Sequence, residues 1–263
     1  MASEKTIAVI GYGTIGESFA YLFAEKGYRV KVSDVREDVQ ELIDATNARL
    51  EANAPRIERA ESVADAVAGA FLVQENGPEK LDFKQQMAAQ IFEANPDAIL
   101  ASSSSALLPS DIARQLPNEQ AANLLIAHPF NPPRILPLIE LVPGERTSDE
   151  TMQAAREFYD GLGKAPVTLN KEIEGYIASR FQKRVLDEAV NQTTPQGFGA
   201  TLKFIKLSFE NIKDVPSPDY SSEGAQAAAE KVEAAYGRGA TQEAKDKRDN
   251  YLERVSGALA GRE

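Results

Sequence analysis

A glycine-rich turn near the N-terminus constrains the fold of this chain more than any other sequence feature. A short apolar run, Thr6–Ile10, leads directly into Gly-Tyr-Gly-Thr-Ile-Gly at positions 11–16, and apolar residues then repeat at helical spacing up to Gly27. A second strand pattern, Arg29–Ser33, ends at Asp34. In such a unit the three glycines permit a sharp turn, close approach of the backbone to a pyrophosphate, and close packing of helix on strand. The pattern therefore favours a dinucleotide-binding unit over an isolated tight turn.

The acid at the end of the second strand indicates which dinucleotide is bound. Asp34 lies eighteen residues after Gly16, near the ~20 expected of the acid that binds a ribose 2′-hydroxyl. A carboxylate there repels a 2′-phosphate, so the sequence predicts NAD rather than NADP. Arg36 is a counter-signal, because an arginine at this place can accept that phosphate. The predicted cofactor-binding residues of this unit are Gly11, Gly13, Thr14, Ile15, Gly16 and Asp34.

The remaining patterns divide the chain into two domains. Strand and helix patterns alternate up to about residue 170, which is typical of a doubly wound sheet. Helical patterns without a strand signal follow at 174–192, 201–212, 223–236 and 241–259. We therefore expect an α/β protein with an N-terminal Rossmann domain over residues 1–170 and a smaller, all-helical C-terminal domain over residues 171–263.

Charge and composition exclude several classes of function. The net charge of −11 disfavours nucleic acid and anionic membranes as partners. The chain has no cysteine and one histidine, which excludes thiolate catalysis and metal sites built from several Cys or His side chains, so no metal is expected. No apolar run approaches the ~20 residues that span a bilayer, and the N-terminus does not resemble a signal peptide. These observations predict a cytoplasmic protein.

The one histidine, His128, lies at the end of a predicted strand, at the sheet edge where ligands bind in doubly wound folds. Taken alone, a histidine at a strand end is more typical of a core or turn residue than of a catalytic one. Glu140 follows in the next predicted strand, so a short connection can bring its carboxylate to one ring nitrogen. Four serines at 102–105 end the neighbouring strand and supply hydroxyls at the same edge. These groups suit removal of an alcohol proton; a serine hydrolase would use the same residue types, but the chain lacks a GxSxG nucleophile elbow.

Four motifs are linked along the first two thirds of the chain. They are Gly-Tyr-Gly-Thr-Ile-Gly at 11–16, Ser-Ser-Ser-Ser-Ala-Leu at 102–107, His-Pro-Phe-Asn-Pro-Pro at 128–133 and Leu-Ile-Glu-Leu-Val at 138–142. Together they resemble the 3-hydroxyacyl-CoA dehydrogenase family, most closely its small-substrate branch of carnitine dehydrogenase and lambda-crystallin-like L-gulonate 3-dehydrogenase. The resemblance implies a Rossmann domain, a helical C-terminal domain that forms a homodimer, and NAD-dependent oxidation of a small 3-hydroxy acid.

The resemblance also implies roles for individual residues. His128 is implied to be the catalytic acid/base, with Glu140 as its partner. Ser105, or alternatively Ser104, is implied to donate a hydrogen bond to the substrate oxygen. Asn131 is implied to be a structural or substrate contact beside them. Near the nicotinamide ribose and the phosphates, the implied contacts are Glu75 and Lys80.

Three features of the chain depart from the family pattern, and one of them is that the Gly-Pro usually found soon after the glycine pair at 197–199 is absent, with Phe-Ile-Lys-Leu-Ser at 204–208 in its place. The family's Gly-Phe-Ile-x-Asn-Arg is Gly-Tyr-Ile-Ala-Ser-Arg at 175–180, so Ser179 stands where relatives have an asparagine, and the helical part that follows looks shortened. Ser179 and Arg180 are therefore candidate substrate contacts. Residues 35–69 are too few for the long helical insertion of the acyl-CoA branch, so a CoA thioester is not the expected substrate.

Two other functions stay open on the sequence. Reduction of a C=N or C=C bond would tolerate the loss of the family's asparagine. The other alternative is a relative that binds NAD with little catalysis, and the intact His128 and Glu140 argue against it.

Overall fold

Eight strands form one sheet within residues 5–181, the part of the chain that the computed structural model describes. In chain order they are β1 (Thr6–Ile10), β2 (Arg29–Ser33), β3 (Ile57–Arg59), β4 (Ala70–Glu75), β5 (Ile99–Ser102), β6 (Leu124–Pro129), β7 (Leu138–Pro143) and β8 (Ala165–Thr168). The chain divides into two compact units, Met1–Tyr176 and Ile177–Glu263. Apart from its first residues, the predicted helical domain lies outside the described part of the chain.

The order of the strands across the sheet is β3-β2-β1-β4-β5-β6-β7-β8. Neighbouring strands are parallel except β6 and β7, which are antiparallel. From β1 the chain winds outward to β3 and then returns to β4 on the other side of β1, so the direction of winding switches between β1 and β4. In doubly wound sheets, ligands bind outside the carboxyl ends of the strands at such a switch point.

Helices cover both faces of this sheet. Within the described residues they are α1 (Thr14–Glu25), α2 (Val39–Arg49), α3 (Val63–Val67), α4 (Leu81–Ala94), α5 (Pro109–Ile112), α6 (Asn118–Ala121) and α7 (Asp149–Gly161). Successive residues of β1 belong to different hydrophobic clusters: Ile7 and Val9 pack with α1, α2 and α7, whereas Ala8 and Ile10 pack with α3 to α6. Strands buried on both faces read as continuous apolar runs, which explains the sequence of β1. The predicted Rossmann α/β fold is confirmed.

The segment between β2 and β4 contains more regular structure than its sequence pattern indicates. It contains the short strand β3 and the helix α3, which were not predicted. In β3 only Ile57 is buried, while Glu58 and Arg59 are exposed, because β3 is the edge strand. One buried side chain gives too short an alternation to be recognised as a strand.

No helix within residues 5–181 combines the length and the apolar character needed to cross a membrane. In the same range, no group of three or more His, Cys, Asp or Glu side chains is arranged to hold a metal ion.

Candidate active site

The glycine turn joins β1 to α1 beside the switch point. Gly11 has a φ of +84°, which glycine adopts without strain, and a Cβ there would lie 3.0 Å from the carbonyl oxygen of Asn76. A Cβ at Gly16 would lie 1.9 Å from the carbonyl oxygen of Gly11, so α1 approaches β1 this closely only with glycine. No described atom lies within 4 Å of the place where a Cβ of Gly13 would be. The turn therefore leaves room for a pyrophosphate at the N-terminus of α1, where backbone N–H groups attract an anion.

Backbone donors fix Asp34 at the carboxyl end of β2. Its carboxylate accepts the N–H of Tyr12, inside the glycine turn, and the N–H of Arg36 at 2.8 Å. A carboxylate offers about four acceptor positions, so these two bonds leave capacity for a ribose hydroxyl. The residues present at the glycine turn and at Asp34 thus fit a dinucleotide.

A buried ion pair lies at the end of β4. The ammonium of Lys84, on α4, lies 3.0 and 2.9 Å from the two carboxylate oxygens of Glu75, and both residues are 2% exposed. Glu75 also accepts the hydroxyl of Ser102 at 2.6 Å. Lys80, the other predicted cofactor contact, is exposed at the start of α4, and its contact with a cofactor stays a prediction. Sequence reasoning missed Lys84, although it shares a helical face with the buried Ala88.

The four-serine segment at 102–105 forms a turn held by Glu79, a second residue that sequence reasoning missed. One carboxylate oxygen of Glu79 accepts the hydroxyl of Ser104 at 2.5 Å and the backbone N–H groups of Ser105 and Ala106 at 3.0 Å each. Ser104 is fully buried, whereas Ser105 is half-buried. The bond to Glu79 uses the one proton of the Ser104 hydroxyl, and donation by Ser105 to a substrate stays a prediction.

His128 and Glu140 lie directly opposite each other on the antiparallel strands β6 and β7. The Nδ1 atom of His128 is 2.8 Å from Oε2 of Glu140. The histidine is 9% exposed and the glutamate 3%, so water screens the pair little. A carboxylate on Nδ1 makes that nitrogen the donor of the neutral ring and leaves Nε2 to accept a proton.

Tyr176 packs against the imidazole ring of His128. Its ring centroid is 5.4 Å from that of His128, and its hydroxyl donates to the carbonyl oxygen of Leu107 at 2.7 Å. Burial raises the pKa of Tyr176 above its usual value. The hydroxyl is therefore a weak acid, although it donates a hydrogen bond. Tyr176 has a positive φ of 46° and follows Gly175, whose φ is 70°. Through its bond to Leu107 and its contact with His128, Tyr176 connects the turn after the serines to the imidazole ring.

The connection from β6 to β7 carries Asn131 and is fastened by Lys164. Asn131 is 7% exposed, and neither atom of its side-chain amide has a hydrogen-bond partner among the described residues. The Lys164 ammonium donates to the carbonyl oxygens of Pro133 and Leu136. Burial lowers the pKa of Lys164 to about 8. This connection holds His128 and Glu140 at its two ends, so Lys164 supports the register of the pair.

Two predicted substrate contacts lie beyond the first unit. Ser179 and Arg180 belong to the second compact unit, which begins at Ile177. Their contact with a substrate stays a prediction.

Comparison with known proteins decides the family. The model of the 3-hydroxyacyl-CoA dehydrogenase NAD binding domain matches residues 6–173, more than half of the chain. The chain belongs to the 3-hydroxyacyl-CoA dehydrogenase family. The resemblance inferred from the four sequence motifs is thereby confirmed.

Curated relatives of this chain include members of the small-substrate branch. An L-carnitine dehydrogenase of Streptomyces coelicolor is 34% identical over 216 residues, which are 78% of this chain and 67% of the relative. The lambda-crystallin homolog of Mus musculus is 35% identical over 200 residues, 70% of this chain and 62% of the relative. A 3-hydroxyacyl-CoA dehydrogenase of Gibberella moniliformis is 36% identical over 196 residues, 70% of this chain and 61% of the relative. The chain thus matches roughly three fifths to two thirds of the length of these relatives.

Solved structures share the fold. An NAD⁺-dependent dismutase, 5-formyl-3-hydroxy-2-methylpyridine 4-carboxylic acid 5-dehydrogenase, aligns over 100% of both chains with a TM-score of 0.78 and 24% identity. The (S)-3-hydroxybutyryl-CoA dehydrogenase of Ralstonia eutropha aligns over 90% of this chain and 96% of that chain, with a TM-score of 0.70 and 24% identity. At this identity the likeness is one of fold.

Proposed function

We propose that this protein is an NAD-dependent oxidoreductase that transfers a hydride between nicotinamide and a small 3-hydroxy acid. The observation that carries the proposal is the buried pair of His128 and Glu140. It lies at the same carboxyl edge of the sheet as the glycine turn, which fits a dinucleotide. The family and its carnitine dehydrogenase members support the same reaction class.

In this proposal His128 moves the proton of the substrate hydroxyl. Bound NAD⁺ supplies the acceptor for the hydride that leaves the carbinol carbon. Nε2 of His128 takes the hydroxyl proton as the C=O bond forms, and the carboxylate of Glu140 stabilises the resulting imidazolium. The hydroxyl of Ser105 donates to the substrate oxygen, and Asn131 supplies a buried amide next to it. In the reducing direction the imidazolium returns the proton to that oxygen.

The cofactor is proposed to be NAD rather than NADP. Asp34 ends β2 with capacity for a ribose 2′-hydroxyl, and its negative charge repels a 2′-phosphate. Gly11, Gly13, Thr14, Ile15 and Gly16 would hold the pyrophosphate at the start of α1. Glu75 would contact the nicotinamide ribose, with Lys84 fixing its carboxylate.

We propose a substrate without CoA. Residues 35–69 form α2, β3 and α3, each of eleven residues or fewer, and so lack the long helical insertion of the acyl-CoA branch. Ser179 and Arg180 remain proposed substrate contacts. We further propose that the protein forms a homodimer through residues 171–263 and that it is cytoplasmic. Light scattering at micromolar concentration tests the dimer.

A second candidate, reduction of a C=N or C=C bond, is favoured by Ser179 in place of the family's asparagine. A substrate screen separates the two. The full chain is assayed with NAD⁺ against small 3-hydroxy acids and their CoA thioesters, and with NADH against keto acids, cyclic imines and enoic acids. Turnover of free hydroxy and keto acids supports the proposal. Turnover confined to imines or enoic acids would replace it with the second candidate, and turnover confined to thioesters would overturn the substrate class.

A further inference from the structure

The turn that follows β2 places an arginine beside the proposed ribose site. The backbone N–H of Arg36 donates to Asp34 at 2.8 Å, so the arginine begins next to the carboxylate that would bind the ribose. Val35, between them, is fully exposed. A guanidinium at this place is able to reach a 2′-phosphate, which would oppose the repulsion by Asp34.

The guanidinium of Arg36 is already bound to a carboxylate. Its Nε lies 2.9 Å from Oδ1 of Asp38 and its Nη2 lies 2.7 Å from Oδ2. Both side chains are about half exposed, at 44% and 51%. This bidentate bond raises the pKa of Arg36 and lowers that of Asp38. Phosphate and carboxylate use the same two parallel N–H donors of an arginine, so a 2′-phosphate would have to displace Asp38.

We propose that Asp38 sets the cofactor preference of this site by occupying the guanidinium of Arg36. With the guanidinium occupied, the negative charge of Asp34 decides the selection, and NAD(H) binds in preference to NADP(H). The inference rests on the proposed function, because it concerns the same dinucleotide site. It adds a selectivity residue, four positions after the ribose-binding acid, that makes no contact with the reacting atoms.

The substitution Asp38→Asn opens this ion pair with little risk to the fold. Exposed ion pairs stabilise a protein weakly. Asp38 precedes α2 at the N-cap position but its side chain makes no capping hydrogen bond, so the substitution removes no helix cap. The matched control is Asp65→Asn, which removes the same charge from the partly exposed pair of Lys31 and Asp65.

The test measures the dissociation constants of NADH and NADPH for the full chain at fixed ionic strength. We expect Asp38→Asn to tighten NADPH binding roughly three- to tenfold, since it releases a charge-assisted donor pair. We expect NADH binding to change by less than about twofold, and Asp65→Asn to leave both constants within about twofold. In the double variant Arg36→Ala/Asp38→Asn the gain in NADPH binding should vanish.

Three results would overturn the inference. They are an unchanged dissociation constant of NADPH in Asp38→Asn, an equal gain in NADPH affinity in Asp65→Asn, and a gain in NADPH affinity that persists in Arg36→Ala/Asp38→Asn. Failure of the proposed reaction is detected in the substrate screen and not in these constants, and a wild-type protein that binds neither dinucleotide would show that the dinucleotide site itself is wrong. Wild-type binding of NADH with an unresponsive Asp38→Asn variant overturns this inference alone.

Discussion

The charged groups at the end of β2 are partly exposed, whereas those at the ends of β4 and β6 are buried. Arg36 and Asp38 meet in water, while the pairs Glu75–Lys84 and His128–Glu140 are withdrawn from it. We call the first region the cofactor end, which also contains Asp34, and the second the catalytic end. Exposed pairs contribute about 0–1 kcal/mol to stability, so we expect substitutions at the cofactor end to change ligand choice more than folding. Buried charges carry a desolvation cost that only close pairing offsets.

The comparison teaches that substitutions in the two regions should have separable effects. Changes at the cofactor end should alter the affinity for one dinucleotide relative to the other and leave folding intact. Changes at the catalytic end should lower stability or turnover and leave the dinucleotide preference intact. Each prediction below tests one side of this separation.

The largest effect is expected for His128→Ala, at the catalytic end. The substitution should lower kcat by roughly 10²–10⁴-fold, the usual contribution of a positioned proton-transfer group. The dissociation constant of NADH should stay within about twofold of the wild-type value, because the glycine turn and Asp34 lie on other strands. A variant that keeps most of its activity would break the comparison and favour the imine or alkene reductase alternative.

Removing the partner of a buried carboxylate should cost stability. Lys84→Met leaves Glu75 buried without its cation and should lower the free energy of unfolding by about 3–5 kcal/mol. The control Lys31→Met breaks a partly exposed pair with Asp65 and should lower the free energy of unfolding by only about 1 kcal/mol. Chemical denaturation measures both. Equal losses in the two variants would show that burial does not separate the two classes of pair.

At the cofactor end, Asp34→Asn should weaken NADH binding. Loss of a hydrogen bond to a charged acceptor is worth about 1.5–3 kcal/mol, which corresponds to a roughly 10- to 100-fold higher dissociation constant. NADPH binding should weaken much less, because the repelling charge is lost as well, and the denaturation midpoint should hardly move. If the dissociation constants of NADH and NADPH rise equally, Asp34 does not bind the ribose 2′-hydroxyl.

The smallest effect concerns pH and Lys164. Burial lowers the pKa of Lys164 from 10.5 to about 8, so between these values the unfolded chain binds more protons than the folded one. Stability from this group therefore rises with pH through that window, and the cost of burying the ammonium is fully present below pH 8. Unfolding measured from pH 7 to 10 should show this rise in the wild type and a flatter profile in Lys164→Met. Identical profiles would contradict the assignment.

Local patterns made much of the fold predictable. The run from β1 through the glycine turn to Asp34 depends on neighbours in sequence, and Gly11 and Gly16 have the close contacts that their residue type implies. The pairing of His128 with Glu140 was predictable because a short connection makes β6 and β7 adjacent. Long-range partners were harder. Lys84 reaches back to Glu75 across the start of α4, and Tyr176 reaches His128 from 48 residues away; no periodicity in the sequence specifies these contacts.

The separation of the two regions depends on the claim that His128, paired with Glu140, accepts and returns the proton of the reaction. The pH dependence of kcat/KM in Glu140→Gln tests this claim most directly. An amide holds the imidazole in place but does not stabilise its charge as a carboxylate does. The account predicts a lower kcat than in the wild type, though less reduced than in His128→Ala, an acidic limb displaced to lower pH, and an unchanged NADH dissociation constant. An acidic limb at the wild-type position would contradict it.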